Sequence, residues 1–239
     1  MNLDALSEEP LVMLYGMSGF DPALIKRFES GEKYAGIMLN NGNIGVCAVL
    51  GQKIDHSLLQ GGIPDFTDPG HRIILNAYFN ALLNYELPEV SNGDIFSQKR
   101  FSRYSEIVMI GSFCSLLDKF RDSSIPVSVF DRLSEEEFLI PMRRQPEFLS
   151  KADCVILTGT TISNKSFMEI TARTQEGCDI FLLGPSNTIH PSMFGYKNIK
   201  VIFGSRFSNK DHRVLDLIRD GHGTKSFLKD INKVYVIRP

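Results

Sequence analysis

Four short stretches set polar side chains beside glycine in a way that can hold a ligand. Thr158-Gly159-Thr160-Thr161-Ile162-Ser163-Asn164 offers hydroxyls, an amide and pliable backbone. Gly184-Pro185-Ser186 joins a sharp, stiffened turn to a hydroxyl, with His190 shortly after it. Gly111-Ser112 ends an apolar run, and Asp131 ends another. Where such a stretch opens a helix, unpaired N–H groups and the positive end of the helix dipole suit phosphate or carboxylate. The same residues also end strands and cap helices with no ligand present, Ser163 or Asn164 being the natural cap. His190 is equally open: a ligand, a base or a metal donor, or a hydrogen-bonded loop residue. Asp131 stands where dinucleotide and adenosyl folds hold ribose hydroxyls.

Complete catalytic signatures are missing. Gly111-Ser112-Phe113-Cys114-Ser115-Leu116 departs from G-x-G-x-x-G, and Phe113 stands where a pyrophosphate needs small residues. That argues against NAD and keeps a nucleoside-type ligand open. H-E-x-x-H, G-x-S-x-G and P-loop patterns do not occur. Cys47, Cys114, Cys154 and Cys178 form no C-x-x-C pair. Cys47 and Cys154 lie in apolar runs and read as small buried hydrophobes, as expected of a reduced, cytoplasmic protein. Cys114 is either a thiolate near a helix start or an inert buried thiol. Asp65, Asp68 and His71 form the one further metal or acid–base cluster to test. Catalytic residues, metal ligands and cofactor stay unassigned.

Positioning these groups requires strands. Ile107–Gly111, Val127–Asp131, Cys154–Gly159, Ile180–Pro185 and Lys200–Gly204 are short apolar runs. Helix-compatible segments, Leu116–Asp122, Pro146–Ser150 and Ser166–Gln175, lie between them. This alternation predicts an α/β fold: a Rossmann-like, mostly parallel sheet with helices on both faces. Ligands of such sheets bind outside the carboxyl ends of the strands, where the four polar stretches fall. Upstream, Tyr34–Leu39 and Ile44–Leu50 flank Asn40-Asn41-Gly42-Asn43, a hairpin signal. Gln60–Gly70 reads as loop, Arg72–Asn84 has helical spacing, and an earlier helix is expected around Pro22–Glu29. The polar stretch Pro88–Arg103 divides the chain into 1–100 and 101–239.

Bulk properties narrow the partners. Net charge is -2 with pI ≈ 6.2, no footprint for nucleic acid, and Arg143-Arg144 reads as a solvated helix face. No apolar run reaches the ~20 residues of a membrane span, and the acidic N-terminus does not read as a signal peptide. A homodimer is expected only because symmetric dimers are the commonest assemblies.

The run Val155–Ser166, which contains T-G-T-T-x-x-N, together with Phe181–Ser186, which contains G-P-S, resembles the family described as putative heavy-metal chelation, whose members are of unknown function. Ile107–Gly111 and the tail from Asp220-Gly221-His222-Gly223 to Lys233 fit the same pattern. The resemblance implies a smaller α+β, enolase N-terminal-like domain before the Rossmann-like one, with a site in the cleft between them. Thr158, Gly159, Thr160, Asn164, Gly184, Pro185 and Ser186 would line it. Hydroxyl, amide and backbone groups are poor ligands for soft metals. The expected partner is therefore a small polar or anionic metabolite, a metal chelate among the candidates. Three functions follow: an enzyme making or modifying a chelating metabolite, a non-catalytic binding protein for a metal or metal chelate, and a nucleotide- or S-adenosylmethionine-dependent transferase.

Overall fold

Asn-Gly between two apolar runs turns the chain as expected, with Gly42 at φ 93. In the computed structural model, which describes residues 7–87, 90–134, 136–227 and 231–239, β2 (Tyr34–Leu39) and β3 (Ile44–Ala48) pair antiparallel across that turn. A third strand, β1 (Ile25–Ser30), pairs antiparallel with β2. The expected helix around Pro22–Glu29 is thus corrected: Pro22–Leu24 makes one 3-10 turn, capped by Asp21, and the chain then extends. Pro22 sets up a turn as readily as a helix start, and the open edge of the hairpin takes up the rest.

The helices are α1 (Pro10–Ser18), α2 (Pro69–Leu83), α3 (Ile95–Gln98), α4 (Cys114–Asp122), α5 (Gln145–Leu149), α6 (Thr160–Ser163), α7 (Phe167–Arg173), α8 (His212–Arg219) and α9 (Thr224–Phe227). Asp68 caps α2, its Oδ1 accepting from His71 N at 2.7 Å, so the helix begins inside the stretch read as loop. The second sheet contains β4 (Ser91–Asn92), β5 (Ile107–Ile110), β6 (Ser128–Phe130), β7 (Cys154–Thr158), β8 (Asp179–Leu183), β9 (Ile199–Phe207) and β10 (Ile231–Ile237), in spatial order β4-β10-β9-β8-β7-β5-β6. Strands β6, β5, β7, β8 and β9 run parallel, and β10 and β4 add antiparallel at one edge. All five apolar runs read as strands are those parallel strands. The turn-rich stretch around residue 95 supplies β4 and α3, while Pro88 and Glu89 lie outside the described residues.

Strand alternation sorts the core. Val108, Ile110, Val155, Leu157, Ile180 and Leu182 share one buried cluster with α1, α2, α5 and α7. Ile107, Met109, Cys154, Ile156, Phe181 and Val201 share another with α3 and α4. The parallel sheet is therefore covered on both faces. The small sheet is covered twice as well: Ala35, Ile37 and Cys47 face α2, and Met38, Ile44 and Val46 face Val214, Leu215 and Ile218 of α8. Gly45 lets β3 approach α2 closely, since a Cβ there would lie 2.2 Å from Ala77 O and Ala81 N. Among the described residues no helix is long and apolar enough to cross a membrane.

Candidate functional site

From β5 the chain passes to one side for β6 and returns to the other side for β7. The carboxyl ends of β5 and β7 are therefore the point where strand order reverses, and a crevice opens there. It is a cleft of about 770 Å³. Gly111, Thr158 and Gly184 line it from the strand ends, and Tyr34, Leu50 and Gln52 line it from the small sheet and the turn after β3. Gly111 and Gly184 have φ of 96° and 117°, a region costly for any side chain. The Phe113 ring lies 3.6 Å from where a Cβ of either glycine would be, so it spans the loops after β5 and β8. Asp131 ties two loops together: its Oδ2 accepts from Ser112 N at 2.7 Å and its Oδ1 from Leu133 N at 2.8 Å.

The loop after β7 spends most of its hydroxyls on itself. Thr161 Oγ1 donates to Thr158 O at 2.7 Å, and Ser163 Oγ donates to Thr160 O at 3.1 Å. Thr158 and Thr160 share a bond of 3.1 Å between their hydroxyls and line the cleft. Helix α6 is a single turn, so its dipole is small. Asn164 ends α6 instead of starting a helix, and its Oδ1 accepts from Ser166 N at 3.0 Å and Ser166 Oγ at 2.6 Å. That anchors the carbonyl end of the amide, and Asn164 is among the residues that line the cleft.

These loops are fixed from behind by α2. Arg72, Asn76, Asn80 and Asn84 recur every fourth residue, hence on one helix face, and all are buried. Arg72 Nε donates to Ser163 O at 2.6 Å and Nη2 to Ile162 O at 2.5 Å, while Nη1 pairs with Glu9. Asn76 Nδ2 donates to Ser186 O at 3.0 Å. Asn80 Nδ2 donates to Val46 O at 3.0 Å, and Asn80 Oδ1 accepts from Thr188 Oγ1 at 2.7 Å. Asn84 Oδ1 accepts from Ile189 N at 2.6 Å, and its Nδ2 donates to Asn187 O at 3.2 Å. The spacing of four was the sequence signal for this seam; without the fold it reads only as polar gaps in an apolar helix.

Nine of the twelve residues singled out from sequence line the cleft: Gly111, Ser112, Asp131, Thr158, Thr160, Thr161, Asn164, Gly184 and Pro185. Gly159, Ser186 and His190 are not among its lining residues. A Cβ on Gly159 would meet Asn187 Oδ1 at 2.5 Å. Ser186 is buried, its Oγ accepting from Ala48 N at 3.1 Å. His190 Nδ1 accepts from Ser192 N at 3.2 Å, and its Nε2 lies 3.5 Å from Glu86. Burial lowers the His190 pKa, against the opposing pull of Glu86. Sequence reasoning missed Gln145 and the rim cations Lys119, Arg132 and Lys233, which come from separate elements with no shared motif. Lys119 pairs with Asp94 at 3.1 Å.

The donor set does not fit a soft metal. The cleft is lined by hydroxyls, amides and two carboxylates, with no thiol or imidazole among its described residues. Nor do the described residues contain any group of three or more His, Cys, Asp or Glu able to hold an ion. Asp65, Asp68 and His71 instead build the entry to α2: Asp65 N donates to His71 Nδ1 at 3.0 Å, and Asp65 Oδ1 accepts from Thr67 N at 2.7 Å. All four cysteines are free. Burial raises the thiol pKa of Cys47 and Cys154, and pushes Cys178 up to about 12. Cys114 is exposed at the start of α4.

No curated protein matches the chain. Among the solved structures that match its fold are two described as proteins of unknown function from the DUF364 family. One, from Pyrococcus horikoshii, is 17% identical with TM-score 0.76, covering 89% of this chain and 92% of its own. The other, from Desulfitobacterium hafniense DCB-2, is 18% identical with TM-score 0.72, covering 98% and 100%. The sequence itself matches DUF364, described as "Putative heavy-metal chelation", over residues 94–237. That span is more than half of the chain, which therefore belongs to this family.

Proposed function

We propose that this protein binds a small amphipathic, anionic metabolite in the cleft at the β5–β7 crossover, and that any metal arrives already held by that metabolite. The observation that carries this reading is the cleft itself: about 770 Å³ at the carboxyl ends of a parallel sheet, within the usual range for small-molecule sites. Apolar walls such as Phe113, Leu133 and Met142 suit a hydrocarbon or aromatic body. Lys119, Arg132 and Lys233 outnumber Asp94 and Asp131 around it, which favours an anion. Asp131 already accepts two backbone N–H groups, and Asp94 is paired with Lys119, so binding is better supported than acid–base chemistry. Phe113, bridging the two glycine loops, stands where a dinucleotide's pyrophosphate would approach, which weighs against the nucleotide-dependent transferase.

The test is fluorescence titration with 1-anilinonaphthalene-8-sulfonate, an aromatic anion. Saturable binding to the folded protein is expected, weakened by salt and by Thr160→Val or Asn164→Ala. Cadmium or zinc ions alone should give no saturable heat in calorimetry. Absence of saturable dye binding, or tight binding of the bare ions, overturns the reading.

A further inference from the structure

Gln145 opens α5 and lines the cleft, yet it is only 8% exposed. Its Nε2 is enclosed and has no hydrogen-bond partner. A buried amide donor without an acceptor is costly, so folded proteins rarely keep one. Here it stands on the wall of a cleft with room for a ligand. Asn164, on the same cleft, has its carbonyl end occupied twice by Ser166, which leaves its Nδ2 as a second amide donor. Met142 and Ile170 supply apolar surface to the same cleft. Amide donors on a cleft with apolar lining suit an acceptor-only group: a carboxylate, or the carbonyl of an amide or ester.

We propose that Gln145, assisted by Asn164 on the same cleft, is its specificity-determining residue, and that it selects ligands carrying a carboxylate on an apolar body. This rests on the cleft-binding reading above and narrows it to a chemical class. Ligand binding supplies the acceptor that the fold withholds. In the free protein the amide is a built-in strain, and in the complex it is a recognition group. Nε2 is enclosed in the free protein, so the side chain must turn it toward the cleft to reach that acceptor.

The experiment compares wild type, Gln145→Met and Gln145→Glu. Without ligand, Gln145→Met keeps the length of the side chain and removes the unpartnered donor. Its Tm should rise by about 2–4 °C. Calorimetry with 2-naphthoate should show binding to wild type and a loss of about tenfold or more in Gln145→Met. In Gln145→Glu, 2-naphthoate should fail and its cationic analogue, 2-(aminomethyl)naphthalene, should bind better than to wild type. Lowered or unchanged Tm in Gln145→Met would mean that the amide has a structural partner such as a trapped water, and overturns the proposal. So does unchanged 2-naphthoate affinity in Gln145→Met, or a wild type that binds the anilinonaphthalene dye but not 2-naphthoate. Should Gln145→Met not fold, the reversal of charge preference in Gln145→Glu decides alone, and an unaltered preference overturns the proposal. Failure of the dye to bind wild type at all is a separate result, and it removes the cleft reading itself.

Discussion

The loops after β7 and β8 have two sides that differ in how their polar groups are used. On the side facing α2, Ile162 O, Ser163 O, Ser186 O, Asn187 O and Ile189 N each meet a side chain of the Arg72–Asn84 ladder. On the side facing the cleft, Thr160 and Asn164 keep polar capacity that the chain does not consume, and Gln145 of α5 adds an unpartnered amide to the same cleft. The contrast separates a structural role from a binding role within single loops. A saturated back holds backbone geometry, so an unsaturated front can be placed in advance of the ligand, which reduces the entropy lost on binding. It follows that substitutions behind should cost stability, and substitutions in front should cost affinity.

Arg72 is the sharpest way to break that division. It is 1% exposed and bonds the last carbonyls of α6, Phe66 O and Glu9 at once. Arg72→Met leaves these acceptors buried and unpaired, and should cost roughly 3–5 kcal/mol in urea unfolding. Arg72→Lys should recover only a minor part, because an ammonium cannot reproduce the guanidinium fork. If Arg72→Met unfolds at wild-type urea concentration, the seam does not hold the loops.

Asn80 and Asn76 sharpen the comparison within the ladder. Asn80 uses both ends of its amide, whereas Asn76 Oδ1 is buried without a partner. Asn80→Ala should therefore cost about 2–3 kcal/mol and Asn76→Ala about 1 kcal/mol. Equal losses would mean that the ladder acts by packing and not by hydrogen bonding. Gly159→Ala should cost about 1–3 kcal/mol, since its Cβ meets Asn187 N at 2.6 Å and Ser186 C at 2.7 Å, backbone atoms that cannot swing away.

The same division explains what was readable in advance. The five parallel strands were legible because burial on both faces leaves continuous apolar runs such as Cys154-Val155-Ile156-Leu157. The hairpin was legible through its Asn-Gly turn. Strand β1 was not, because Ile25-Lys26-Arg27-Phe28 neither alternates cleanly nor pairs in regular register; it is an edge with an irregularity between Ile25 and Arg27. The cleft-facing Thr160 and Asn164 stood out as polar residues at a strand end. Ser186 and Gly159 looked identical by type, yet Ser186 is buried where its carbonyl meets Asn76 of α2, and Gly159 is packed against Asn187 and Ser186. Gln145 had no local signal at all, since its meaning comes only from having no partner.

Substitutions on the front should cost less stability than those behind. Thr160→Val should shift unfolding by no more than about 0.5 kcal/mol, and Asn164→Ala, which also takes the acceptor from Ser166, by about 1 kcal/mol. Each should still weaken the anilinonaphthalene dye by about fivefold to tenfold, the loss of one hydrogen bond. A front substitution that unfolds the protein, or a back substitution that changes affinity with stability intact, would erase the distinction.

The smallest expected effect lies at the end of the seam. His190 follows Ile189, whose N–H is held by Asn84, and burial holds the imidazole pKa below its ordinary value. The folded state thus prefers the neutral ring, and the unfolded chain binds the proton more readily. Its contribution to stability is full above the unfolded pKa of about 6.5. It declines as pH falls from there through the folded value. Glu86, 3.5 Å away, attracts the protonated ring and blunts the slope. Wild type should lose stability from pH 7.5 to pH 5, His190→Gln should lose less, and Glu86→Gln should lose more, since the ring then has no opposing anion. Asp55, Asp65 and Asp216, whose pKa values are lowered by hydrogen bonds, act only at more acid pH. A slope that survives His190→Gln unchanged would place the proton elsewhere and free His190 from the seam.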